Sequence, residues 1–251
     1  MCNNDFYKGF KRKSLPPKVV PFPIPGVPDK SFGSVGSEYA EELRAYKDLL
    51  RKASDKAIGR IGSIVMNCNP FTLGHRFLIE QAAEKVKHLY IFAVEEDRSI
   101  FPFDDRFELM KEGTADLPNV TVIPSGKFII SSLTFSEYFN KMELQDKSID
   151  PSMDVTVFVK EIAPTLNISV RFAGDEPIDL ITNQYNKAME RILPKFGVDF
   201  VVIKRKESEG EVISASRVRR LLEEKDFEGI SRIVPETTFR YLKKRFDEKD
   251  E

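Results

Sequence analysis

Cysteine and histidine are scarce in this chain, which holds Cys2, Cys68, His75 and His88 and no others in 251 residues. Their spacing fits no zinc-ligand pattern, so no structural metal is expected. Net charge is almost absent too, at −1 from 39 basic and 40 acidic residues. Without a positive excess there is no general attraction to nucleic acid, and no nucleic-acid partner is expected. No apolar run approaches the length that crosses a bilayer, which argues against a membrane-embedded enzyme. Met1–Lys13 is polar and lacks the apolar centre of a secretory signal. With so little cysteine, that leads to the expectation of a reducing, cytoplasmic setting.

What the chain does have is an ordered alternation of patterns. Pro16, Pro17, Pro21, Pro23, Pro25 and Pro28, with several glycines, block both helix and ladder hydrogen bonding and predict an extended arm over residues 16–36. Tyr39, Leu43, Tyr46, Leu49 and Leu50 then recur at helical spacing, predicting a helix over residues 37–57 whose apolar stripe is a dimer contact or an intramolecular strap. Residues 1–58 are accordingly read as an N-terminal arm and helix, and 59–251 as the catalytic domain. From Gly59 on, apolar runs at 61–66, 89–94, 120–123, 169–173 and 199–203 read as strands. Amphipathic stretches to about 87, at 104–116, 135–146 and 182–196, and from about 215 and 236, read as helices. Alternation of this kind predicts an α/β fold, a doubly wound parallel sheet with ligands at the carboxyl ends of its strands.

The chemistry concentrates where the first strand hands over to the first helix, in Met66-Asn67-Cys68-Asn69-Pro70-Phe71-Thr72-Leu73-Gly74-His75. Free backbone N–H groups and the positive end of the helix dipole meet there, Gly74 permits close approach, and Thr72 and His75 add donors, so a triphosphate could be held. The plainer reading of the same residues is an Asn-Pro turn, Thr72 as N-cap and His75 on the helix surface. A second helix start, Ile213-Ser214-Ala215-Ser216-Arg217-Val218-Arg219, offers two hydroxyls and a guanidinium to phosphate, or an ordinary N-cap at Ser216.

These residues resemble the nucleotidylyltransferase superfamily with its (H/T)xGH signature, and more closely the citrate lyase ligase family. The resemblance rests on four blocks in the family's order: 62–75, Glu95 to Phe103, Phe172-Ala173-Gly174-Asp175-Glu176-Pro177, and 213–219. Gly113 to Leu117 and Thr134-Phe135 add to it, so that it covers about 59–222. It implies a Rossmann-like nucleotidyltransferase fold with ATP as substrate and Mg2+ as its companion. In the family, acetate is activated as acetyl-AMP and passed to the prosthetic-group thiol of the citrate lyase acyl carrier subunit.

Carried over by position, Thr72, His75 and Arg219 become the catalytic candidates, with His75 stabilising charge at the α-phosphate. Cys68, Asn69, Phe71 and Gly74 would line the nucleotide, Gly174 and Asp175 would lie near adenine and ribose, and Ile213, Ser214 and Ser216 would meet the phosphates. The family usually carries an acetyltransferase-like domain where this chain has residues 1–58, and proline where it has Ser136.

Other residues carry weaker readings. Arg106 either reaches the site or forms a surface ion pair, Arg217 and Arg220 are expected to be solvated, and His88 is expected in an exposed loop. Cys68 is read as a buried strand-end residue rather than a covalent thiol. Two alternatives stay open. One is transfer of a nucleotide from ATP or CTP to a phosphorylated small molecule, with Lys111, Lys127, Arg171 and Lys204 as candidate phosphate ligands. The other is a nucleotide-binding module without catalysis.

Overall fold

A computed structural model describes residues 33–54, 59–95, 99–131, 134–135, 150–176, 179–208 and 210–246. Most of the proline-rich arm, residues 96–98, and the helix expected at 135–146 from Ser136 on lie outside the described residues. The first described helix, α1 (Gly33–Ala53), begins and ends four residues before its expected bounds.

The core is a five-stranded parallel sheet of order β3-β2-β1-β4-β5. Its strands are β1 (Ile61–Met66), β2 (His88–Ala93), β3 (Val120–Pro124), β4 (Ile168–Gly174) and β5 (Asp199–Ile203). Because alternate residues face opposite sides, one face carries Ile64, Met66, Leu89, Ile91, Val170 and Phe172. Helices α2 (Leu73–Ala83) and α3 (Phe103–Glu112) cover it. The other face carries Ile61, Tyr90, Phe92 and Ile123 beneath α1, α4 (Ser152–Val157), a π-helical turn at Phe158–Ile162 and α5 (Leu180–Ile192). Burial of each such large side chain contributes about 1.5–3 kcal/mol. This is the doubly wound sheet that the strand and helix periodicities predict.

A third cluster gathers α6 (Ala215–Glu223), α7 (Phe227–Ser231) and α8 (Glu236–Phe246) around Phe101, Val218, Leu222, Ile230 and Leu242. A short antiparallel hairpin, β6 (Glu207–Ser208) with β7 (Glu211–Val212), leads into α6. The hairpin's strands are two residues long and α7 only five, too short for any periodicity to reveal.

Helix α1 is a strap within the chain. Leu50 is fully buried, Tyr46 donates its hydroxyl to the Pro124 carbonyl at 2.8 Å, and Tyr39 meets Phe128 edge-on. Two expectations are corrected on this face and its edge. His88 is not a loop residue: it opens β2, with Nε2 2.9 Å from the Thr121 hydroxyl and its ring against Tyr90. Lys127 is paired with Glu42 of α1 and does not line the cleft described below.

Candidate functional site

Strands β1 and β4 are neighbours, yet β1 runs on into α2 on one face and β4 into α5 on the other. A crevice must open between chains that diverge this way, at the carboxyl ends of the strands. The cleft there has a volume of about 550 Å³. Its walls come from Met66–Asn69, the first turn of α2, the end of β4, the inner side of α5, Ile203–Lys206 and the start of α6.

The β1–α2 loop is held from behind by Arg106. Its side chain is fully buried, donating to the carbonyls of Phe101, Asn67 and Val94 at 2.8–3.0 Å and to the Asn67 side chain. Arg106 is thus neither a site ligand nor a surface ion pair, as either reading of the sequence had it, but the brace that shapes the loop. Asn69 accepts from the Phe101 N–H through Oδ1. Cys68 has φ of 48° and is 1% exposed, and burial pushes its thiol well above the ordinary range. Its sulfur is therefore inert as a nucleophile while the residue lines the wall.

Thr72 and His75 form a reciprocal cap at the start of α2. The His75 N–H donates to Thr72 Oγ1 at 3.3 Å, and the Thr72 N–H donates to His75 Nδ1 at 3.1 Å. Because a backbone N–H can only donate, Nδ1 must accept, which puts the ring proton on Nε2. Burial, then repulsion from Arg205, lowers the His75 pKa to about 4, so the imidazole is neutral near pH 7. Phe71 lies nearly parallel to the His75 ring at 5.9 Å.

Two of the expected nucleotide contacts lie behind the cleft wall. Phe71 and Thr72 are 0% and 1% exposed and neither lines the cleft, because both are used to fix His75 in place. Phe71 is itself wedged against Gly113, where a Cβ would stand 2.4 Å from its ring. Arg76 completes the brace by binding the Gly113 carbonyl and Asp116, which gives the 113–117 block a role in holding α2.

The second helix start faces the first. A Cβ on Gly74 would sit 2.5 Å from the Ile213 carbonyl oxygen, so the two segments are in backbone contact. Ser214 caps α6 by accepting from the Arg217 N–H, which corrects the expectation of Ser216 as cap. Ser216 instead accepts from Arg219, whose other Nη donates to the Asn69 carbonyl at 2.7 Å. Ile213, Ser214, Ser216 and Arg219 all line the cleft. Arg217 is not solvated: it reaches the Ser208 carbonyl and Glu211, and it is Arg220 that stays outside.

On the β4 side, Gly174 lines the cleft and its carbonyl accepts from Asn186. Asp175 does not line it, because its carboxylate accepts from the Arg205 N–H and ties the ends of β4 and β5 together. Arg205 also pairs with Glu176. Lys204, Arg205, Lys206, Arg219 and Arg171 against Glu176 and Asp179 leave the lining cationic, the balance a polyphosphate requires. Lys111 does not contribute, being paired with Glu108 on α3. The sequence offered no motif for the α5 residues Thr182, Tyr185 and Asn186. The available signal was Arg171, a lone charge inside an apolar strand.

Among the described residues, no group of three or more His, Cys, Asp or Glu gathers. No described helix is long and apolar enough to cross a membrane.

Residues 61–242 match the citrate lyase ligase C-terminal domain family. The citrate (pro-3S)-lyase ligase of Escherichia coli (strain K12) is 41% identical over 208 residues, covering 81% of this chain and 59% of that protein. The corresponding ligase of Haemophilus influenzae is 43% identical over 192 residues, covering 74% and 57%. A phosphopantetheine adenylyltransferase of Streptococcus uberis is 26% identical over 170 residues, covering 61% of this chain and 95% of that protein. The chain thus spans somewhat under three fifths of the length of the ligases it matches.

Proposed function

The chain belongs to the citrate lyase ligase family, and from that premise we propose that it activates acetate with ATP and passes the acetyl group to the prosthetic-group thiol of a citrate lyase acyl carrier subunit. The observation that carries this reading is the meeting of two helix starts, at Gly74 and Ile213, over one cationic cleft at the β1/β4 crevice. Helix N-termini with free N–H groups hold phosphate, and two of them can grip the two ends of one triphosphate.

In this reading an acetate oxygen attacks the α-phosphorus as the bond to pyrophosphate breaks, giving acetyl-AMP. His75, neutral and with its proton on Nε2, donates a hydrogen bond to the α-phosphate oxygen on which charge grows. Arg219, Ser214 and Ser216 hold the departing β- and γ-phosphates. The thiol then attacks the acetyl carbon, AMP leaves with the bonding electron pair, and the thiol proton passes to solvent. No protein nucleophile is required, which suits the inert Cys68.

Mg2+ would be carried by the triphosphate oxygens, since no cluster of protein carboxylates among the described residues would cage it. There it would neutralise phosphate charge.

Hydroxylamine traps activated acyl groups. Wild-type protein with ATP, Mg2+ and acetate should form acetohydroxamate and AMP in equal amounts, and AMP without hydroxamate would refute the acyl-adenylate. A second reading, nucleotide transfer to a phosphorylated alcohol, is favoured by Lys204 and Lys206 lining the same cleft and by the likeness to the adenylyltransferase. Nucleotide consumption that needs such an alcohol and ignores acetate would select it.

A further inference from the structure

Arg171 sits in the middle of β4, 2% exposed, on the face covered by α5. Its guanidinium lies over the Phe158 ring at 4.2 Å, and one Nη donates to the Tyr185 hydroxyl at 3.2 Å. Tyr185 in turn donates to Asp154, whose other oxygen is taken by the Ile130 N–H and the Thr134 hydroxyl. Among the described residues, Arg171 Nη1 meets no hydrogen-bond acceptor, and the guanidinium reaches Asp154 only through the Tyr185 hydroxyl. A buried cation with an idle donor is costly, and a guanidinium most readily satisfies that donor with a carboxylate. Ser63, the register partner of Arg171 on β1, also holds its hydroxyl buried without a partner, so this face of the sheet carries a second unsatisfied polar group.

Arg171 lines the same cleft as His75, and so do Tyr185, to which it is bonded, and Ile130 and Met189 of the apolar cluster that includes Tyr185. Ile130 and Met189 give that part of the cleft an apolar wall. A charged donor against an apolar wall matches a short monocarboxylate, whose head is anionic and whose tail is hydrocarbon.

We infer that Arg171 anchors the carboxylate of the acid substrate, one oxygen held by Nη1 while the other is left to attack the nucleotide. This rests on the acid-activating reading above. Tyr185 is a positioning residue, since it fixes the guanidinium through Nη2 without touching the acid.

The test measures acid-dependent pyrophosphate exchange into ATP for wild type and Arg171→Lys, with ATP binding followed separately by calorimetry. Arg171→Lys should raise the half-saturating acetate concentration roughly tenfold or more, the size of a lost charged hydrogen bond. ATP affinity should stay within about threefold, because no triphosphate contact is assigned to Arg171. An unchanged acetate requirement in a variant that still binds ATP would overturn the assignment. If the variant does not fold, wild type decides alone: acetamide, which has acetate's shape without its charge, should fail to compete with acetate, and equal competition would overturn the assignment. Absence of exchange with every short acid in wild type, together with exchange on a phosphorylated alcohol, would instead remove the acid-activating reading and this inference with it.

Discussion

The carbonyl oxygen of Ile213 occupies the place where any side chain at position 74 would put its first carbon, 2.5 Å from an ideal Cβ. Gly74 therefore sets the distance between the two helix starts that face the cleft. A methyl group there must push backbone, not a flexible side-chain tip, so Gly74→Ala should cost about 1–3 kcal/mol of stability. Displacing α6 by a fraction of an ångström to an ångström should lower kcat/KM on the order of a hundredfold. Denaturant titration and steady-state kinetics on the same preparation check both.

His75 makes a prediction about pH. Its folded pKa of about 4 lies below the ordinary value of 6.5, with burial as the main cause. Between those values the unfolded chain binds a proton that the folded chain refuses, so the His75 contribution to stability is full above pH 6.5 and is lost as pH falls through about 4. The denaturation midpoint of wild type should accordingly fall more between pH 7 and 4.5 than that of His75→Asn. The acid limb of wild-type activity that belongs to this residue should lie near pH 4, and a histidine titration near 6.5 in the wild-type NMR spectrum that is missing from His75→Asn would show that the imidazole is not held neutral as described.

Thr72→Val removes the N-cap and the hydroxyl beside Nδ1 while keeping the branched shape. Loss of the cap should cost about 1 kcal/mol, read from the shift in thermal midpoint. The ring of His75 keeps one partner, the Thr72 N–H, so kcat should fall while ATP binding changes little. A variant with wild-type kcat would mean that the hydroxyl does not help to orient the ring.

Arg106→Met leaves the carbonyls of Asn67, Val94 and Phe101 without their shared donor, those of Val94 and Phe101 inside the core and that of Asn67 at the wall of the cleft. Removing one side of such a buried charged network costs about 3–5 kcal/mol. The variant should be mostly unfolded or lose the β1–α2 loop, as seen by proteolysis. Wild-type stability would rule out the bracing role.

The sheet was legible because β1 and β2 are apolar runs buried on both faces, and because the stripes of α5 and α6 show helical spacing. The two helix starts that face the cleft were legible as motifs for the same local reason: Gly74 and the cap residues lie within a few positions of one another. What was not legible depended on partners far along the chain. Arg106, beside Asp104 and Asp105, reads as a site ligand or a surface ion pair, and only the folded loop brings three carbonyls to it. The surroundings of Asp175 and His88 are hidden in the sequence for the same reason, their partners Arg205 and Thr121 being about 30 positions away. The motif puts Thr72 and Phe71 in the β1–α2 loop but does not say which of its residues point inward, and these two are buried away from the cleft.

The most direct measurement is the incorporation of labelled pyrophosphate into ATP, with and without acetate, in wild type and His75→Ala. Acetate-dependent exchange into ATP and not into CTP is expected, abolished in His75→Ala although that variant still binds ATP. Exchange that proceeds without acetate, prefers CTP or survives the loss of His75 would contradict that expectation.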